Sequence, residues 1–225
     1  MQFRGKPLAR WIFRAFCLIA LPPILWIGWI ELNSNFGTVQ PGKVFRSGQM
    51  SASTLSKTIR EHGIKTVLNL RGVNPTDAWY VQERDTALDL GATQIDVHMS
   101  SCQWLSRDEM KSLIETLDGC NYPILIHCAW GSERTALISA FTQLLRPGST
   151  LDEARAQFTI RHLFVPMGDG KLMAYHLDAY SDWLDSQKLR HQPETFRRWI
   201  AEAYTPKSPS REEWPYDPYP LRTIT

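Results

Sequence analysis

Cys128 and Arg134 are the two residues of this chain whose types and spacing can perform covalent chemistry. Five residues separate them, and Thr135 follows directly. Upstream, Ile124, Leu125 and Ile126 read as a short buried strand, so Cys128 falls at a strand's carboxyl end. A helical run from Thr135 to Leu145 follows the loop and places Arg134 near its first turn. A loop of this length can curl until its backbone N–H groups converge on one spot. With the helix N-terminus they form a cradle for a dianionic phosphate. The same positive field favours a thiolate and draws a cysteine pKa into a range of about 3.5 to 7.5. Arg134 can clamp two equatorial phosphate oxygens with its planar fork. Gly131 lets the backbone approach the anion with no Cβ in the way. The expected phosphate-binding set is therefore Cys128, Ala129, Trp130, Gly131, Ser132, Glu133 and Arg134.

The pattern His127-Cys128-x-x-Gly131-x-x-Arg134-Thr135 resembles the signature of the cysteine-dependent protein tyrosine phosphatase superfamily, most closely its small dual-specificity branch. Val44-Phe45-Arg46-Ser47-Gly48-Gln49 and Asn69-Leu70-Arg71 resemble stretches of a bacterial and fungal subgroup of that branch. The resemblance spans about residues 43 to 185. It implies a phosphocysteine intermediate at Cys128 and phosphate binding by Arg134 and the loop amides. It implies that the Thr135 hydroxyl supports the departing thiolate in the second step. No metal and no cofactor is called for. His127 is expected to orient the loop by hydrogen bonds and not to act as a base. Relatives often carry an Asp on a loop upstream of the cysteine as general acid. Asp96, 32 residues before Cys128, has a suitable separation, although it falls inside a strand. The loop from Ser100 to Leu105 carries no carboxylate, and Asp108 is accounted for by helix capping.

Three rival chemistries share these residues. One is a catalytically idle phosphate-binding module. Another is an arsenate reductase working through Cys128. The third is a sulfur transferase, whose cysteine loop is shorter than the five residues seen here. The loop interior also bears on substrate. Its variable positions, Ala129, Trp130, Ser132 and Glu133, include no lysine. A carboxylate beside the phosphate disfavours further anionic groups, and Trp130 offers a stacking surface. Both point to a singly phosphorylated partner with an apolar or aromatic body, either a phosphotyrosine protein or a lipid-linked phosphate. Arg46 reads equally as a plain surface charge. Arg71, at a strand end, reads as a second basic group near the phosphate or as the partner of an internal carboxylate. Cys102 lies in the upstream loop, where it reads as a small buried residue or as a disulfide partner for Cys128.

The elements that position these residues follow from punctuation and period. A helix from Ser53 to His62 ends at Gly63. Strands are expected over Ile64–Leu70 and Thr93–Met99. A helix between them starts near Asp77 and carries Trp79, Val81, Leu88 and Leu90. Ser106 and Glu109 form a capping box for a helix with Met110, Leu113, Ile114 and Leu117 on one face. Ser149-Thr150 and Glu153 make another, opening a helix to about Arg161. Amphipathic helices follow over Lys171–Gln187 and Pro193–Tyr204. Alternating strands and helices imply an α/β fold with a central, mostly parallel sheet flanked by helices, the cysteine loop lying at its carboxyl edge.

The N-terminus carries a different signal. Arg4, Lys6, Arg10 and Arg14 precede an apolar run from Ala15 to Ile30, broken only by Pro22 and Pro23. Taken from Trp11, the run reaches the ~20 residues of a membrane-spanning helix. This predicts an uncleaved transmembrane signal anchor over residues 1–32, followed by a linker at 33–42. The domain would cover 43–205 and a Pro- and aromatic-rich tail 206–225, with Trp214, Tyr216 and Tyr219. The charge asymmetry predicts a cytoplasmic N-terminus and an extracytoplasmic domain, periplasmic if the cell is bacterial. A net charge of +2 implies no nucleic-acid partner. Four cysteines without paired spacing suggest neither a disulfide framework nor a zinc site.

Overall fold

The computed structural model of the chain describes residues 7–167 and 170–207. Arg4, Lys6 and the aromatic tail lie outside the described residues, as do the side chains of Arg10 and Trp11. Helix α1 runs Pro7–Leu32. The domain that follows has five strands: β1 (Gly37–Gln40), β2 (Val44–Ser47), β3 (Thr66–Asn69), β4 (Thr93–Asp96) and β5 (Ile124–His127). Helices α2 (Ala52–His62), α3 (Ala78–Asp89), α4 (Arg107–Gly119) and α5 (Glu133–Leu144) connect or follow them. α6 (Leu151–Arg155), α7 (Gly170–Gln187) and α8 (Pro193–Arg198) come next among the described residues, α8 passing into a π-helical turn at Trp199–Ala203.

The sheet order is β1-β2-β5-β3-β4. Only β1 is antiparallel to its neighbour; the other pairings are parallel. β5 is thus the central strand, and its last residue, His127, pairs with Ser47 of β2 and Asn69 of β3. The period of two along each strand splits the core into two layers. Ile124 and Ile126 of β5, Val44 of β2 and Leu68 of β3 face a cluster built with α4, α5, α7 and α8. Leu125, Phe45 and Val67 face the opposite cluster under α2. Each such buried side chain contributes roughly 1.5–3 kcal/mol over its exposed state. Helix α5 is buried all round from Arg134 to Leu144, its apolar Leu137, Ile138, Phe141 and Leu144 lying in the core.

Several sequence expectations change here. Residues 37–40, expected in a linker, form edge strand β1. Both capping boxes exist, Ser106 with Glu109 and Thr150 with Glu153. The helix after Thr150 stops at Arg155, short of the expected Arg161. In α3 the buried residues are Tyr80, Glu83 and Ala87, a stripe at spacings of three and four, while Leu88 is exposed. The larger apolar residues had suggested another face.

Among the described residues no helix is long and apolar enough to cross a membrane. The transmembrane reading of residues 1–32 finds no support in that measure. α1 does carry Phe16, Leu18, Ile19, Ile24, Leu25 and Leu32 exposed, while Ile30 near its end is buried against the domain.

Candidate active site

The loop after β5 is shaped by its carbonyl groups. Ala129 O accepts from the Gln49 N–H at 3.0 Å. Trp130 O accepts from Asn35 Nδ2 at 2.8 Å. Gly131 O and Ser132 O accept from Arg46 Nη2 at 2.8 and 3.4 Å, and Ser132 O also takes the first helical bond from Ala136 N. Four successive carbonyls are therefore drawn outward. In a trans peptide the N–H of the next residue points the opposite way. The amides of Trp130, Gly131, Ser132 and Glu133 are accordingly turned to the inner side of the loop, forming the concavity that binds anions. Gly131 permits this curl. Its φ is +69°, and a Cβ there would come within 2.5 Å of Gly48 N and of Ser47 C.

Cys128 is buried, 1% exposed. Burial pushes its thiol up, but Arg134 and the hydroxyl and amide of Thr135 outweigh burial and the opposing charge of Glu133, so its pKa is lowered. The Thr135 hydroxyl is buried with no full hydrogen bond of its own to the protein. Arg134 is also buried, and its Nη1 donates to Leu70 O at 3.2 Å and Met99 O at 3.1 Å. These carbonyls, just past β3 and β4, hold the guanidinium at the carboxyl edge of the sheet. The Ser132 side chain turns away and donates to Leu163 O at 3.0 Å, so only its backbone faces the cradle. Trp130 is 60% exposed and free to meet a substrate body.

The other expected residues are placed differently. Arg46 is no surface charge: it is 0% exposed, and its Nη1 also holds Gln157 O at 2.7 Å. Burial lowers its pKa to about 10, the charge of Cys128 opposing and that of Arg161 adding, so it remains a cation at neutral pH. His127 Nε2 lies 3.1 Å from Oε1 of Glu83, and the Cys128 backbone also favours its protonated form. Arg71 Nη1 donates to Gln49 Oε1 at 2.9 Å. Gln49 Nε2 in turn donates to Glu83, and the Arg71 guanidinium stacks 3.5 Å from the Trp79 ring. Asp96 is engaged away from the loop. It accepts from Asn69 at 2.7 Å, Gln94 at 2.9 Å and the Tyr80 hydroxyl at 2.7 Å. One strand, β3, lies between it and His127, two inter-strand spacings or about 10 Å. Its carboxylate braces the strand end. Asp108 lies exposed in the first turn of α4. Cys102 and Cys128 are not joined by a disulfide.

Glu83, Gln49 and Asn35 are the site-supporting residues that sequence reasoning missed. The sequence carried no signal for Glu83: the larger apolar residues of α3 marked another face, and the structure shows Tyr80, Glu83 and Ala87 as the inward stripe.

The family described as DSP-PTPase phosphatase fused to NAD+ kinase matches residues 32–166. No curated protein matches the chain. Among solved structures, the core catalytic domain of the PP-IP phosphatase SIW14 from S. cerevisiae, in complex with citrate, is 22% identical. That match covers 68% of this chain and 92% of the yeast domain, with a TM-score of 0.49. TpbA from P. aeruginosa, in complex with pTyr, is 16% identical over 56% of this chain and 79% of its own, with a TM-score of 0.45.

Proposed function

The chain belongs to the DSP-PTPase phosphatase family, and from that premise we propose that it hydrolyses phosphomonoesters in two steps through Cys128. In the first step the Cys128 thiolate attacks phosphorus in line. The S–P bond forms as the ester O–P bond breaks, and the alkoxide or aryloxide leaves. The inward amides of the 128–134 loop and the Arg134 fork take up the charge of the equatorial oxygens. In the second step water attacks the same phosphorus, the S–P bond breaks, and the Thr135 hydroxyl supports the returning thiolate. The observation that carries this reading is the outward pinning of four loop carbonyls around a cysteine whose pKa is lowered although it is buried.

The leaving group needs little help from an acid in this reading, because Asp96 is held by three donors elsewhere. Aryl phosphates, whose phenolate departs readily, fit that condition. Glu133 opposes the thiolate and would equally oppose a substrate with further phosphates, while exposed Trp130 suits an aromatic or apolar body.

Phosphate release from an aryl phosphate, with chelator present and Cys128→Ser as control, tests the reading. Release that is lost in the variant supports it. Release that survives the substitution, or none from the folded wild-type chain, overturns it.

A second reading concerns the membrane. We infer that α1 is an anchor, with the N-terminus cytoplasmic and the domain on the far side, and that lipid-linked phosphates are among the substrates. The apolar run 15–30, the basic residues before it and the exposed apolar residues of α1 support this. So does the position of the phosphate loop at the foot of α1, joined to it through Asn35 and Trp130. Recovery of the full chain in the alkaline-washed membrane fraction tests it; recovery in the soluble fraction overturns it.

A further inference from the structure

A line of buried polar groups runs behind the nucleophile. Arg71 donates to Gln49, Gln49 to Glu83, and Glu83 meets His127, the residue before Cys128. The side chains of Glu83 and His127 are each 2% exposed. A carboxylate at that depth is costly unless it is matched, and here both of its oxygens are used, one by Gln49 and one by His127. Behind the cradle, His127 is coupled to Cys128 through the charge and backbone of that residue, and Gln49 meets the loop through its own backbone N–H.

We propose that Glu83 is a positioning residue for the reaction, acting through His127 to keep Cys128 in its reactive thiolate form, with Gln49 fixing the carboxylate in place. The inference rests on the phosphocysteine reading above. Burial alone would strip His127 of its proton; the charge and hydrogen bond of Glu83, together with the charge and backbone of Cys128, outweigh burial, so the imidazole's pKa is raised. The Cys128 charge is among the groups that raise His127, so a protonated His127 and a Cys128 thiolate favour one another, and Glu83 acts on the thiolate through that coupling. The other charged groups facing Cys128 are Arg134 and Glu133 from α5 and Arg46 from β2. Around Glu83 they are His127 from β5, Arg71 behind Gln49, and Tyr80 on its own helix. None of these substitutes for a proton on His127.

The test is the rate of Cys128 alkylation by iodoacetamide across pH in the full chain, read by mass spectrometry of the Cys128 peptide. It needs no substrate, so it stands apart from any failure of the phosphatase assay. Glu83→Gln keeps the shape and removes the charge. The midpoint of the profile is expected to rise by about one pH unit, which lowers the rate about tenfold on the acid side and leaves the alkaline plateau unchanged. His127→Asn is expected to give the same rise, and the double variant no more than either alone. A merely structural role would alter the plateau or the folded fraction and leave the midpoint in place. An unmoved midpoint in folded Glu83→Gln, or additive shifts in the double variant, overturns the proposal. Should Glu83→Gln fail to fold, Gln49→Leu is read in its place. A midpoint that rises supports the proposal, and one that stays overturns it.

Discussion

The guanidinium of Arg46 donates to the carbonyl oxygen of Gly131 at 2.8 Å from a position with no solvent exposure. The two residues lie 85 positions apart in the chain. This bond joins the edge of β2 to the crown of the phosphate loop, and it fixes the plane of the peptide whose N–H faces the cradle. A charged donor to a buried carbonyl is worth roughly 1.5–3 kcal/mol, enough to hold the loop curled before any anion arrives.

Arg46→Lys is accordingly expected to lower kcat/KM for an aryl phosphate by about ten- to a hundredfold, the equivalent of one charged hydrogen bond. A lysine keeps the charge but cannot reach Gly131 and Gln157 together. Inhibition by inorganic phosphate, which reads the cradle without the chemistry, should weaken in parallel. Unchanged inhibition would show that the loop keeps its shape without the arginine.

Gly131→Ala places a Cβ at φ +69° and drives it into Ser47 and Gly48. A non-glycine residue held in such a region costs about 1–3 kcal/mol. At about 2–4 °C per kcal/mol for a chain of this size, melting should fall by several degrees. Activity should fall further than stability, because the backbone that must shift carries the anion-binding amides. Calorimetry and turnover measured on the same sample check both.

Cys128 has a folded pKa below its usual value of 9.0. Between the two values the folded chain has released this proton and the unfolded chain still holds it. The unfolded state therefore binds more protons, and stability rises with pH through that window. This contribution is lost as pH falls through the folded value. Cys128→Ser should flatten the slope of unfolding free energy below pH 9.0, measured by denaturant titration at a series of pH values. An unchanged slope would contradict the lowered pKa.

His176 is completely buried, and its Nε2 accepts from Leu105 N at 3.3 Å, so it must be neutral in the fold. Its Nδ1 lies 3.0 Å from Leu172 O. Burial lowers its pKa from 6.5 to about 4. Below 6.5 the unfolded chain takes up a proton that the folded chain refuses, so stability declines as pH falls from 6.5 towards 4. His176→Gln can keep a donor and an acceptor but does not titrate. Its unfolding free energy should depend less on pH across that window, whatever its value at neutral pH.

How much of this was legible in the chain depends on how local the information is. The strand Ile124–His127, the Cys128–Arg134 spacing and the capping boxes at Ser106 and Thr150 are each written within about a dozen residues, and all of them form. Their determinants are turn geometry, side-chain period and a donor three residues from its acceptor. The edge strand at 37–40 was less legible, because a four-residue strand at a sheet edge has too short a pattern to stand out from a loop.

The sequence by itself determined the chemistry: a cysteine at the end of a buried strand, a five-residue loop with a glycine, and an arginine at the start of a helix. Tertiary structure alone decided what holds that chemistry in place. Arg46 meets Gly131 across 85 residues, Asn35 meets Trp130 across 95, Gln49 meets Glu83 across 34 and Glu83 meets His127 across 44, and Asp96 is taken by strand-end donors. The reason is physical. Whether a charged side chain is solvated or buried depends on what packs over it, and neither spacing nor residue type carries that information.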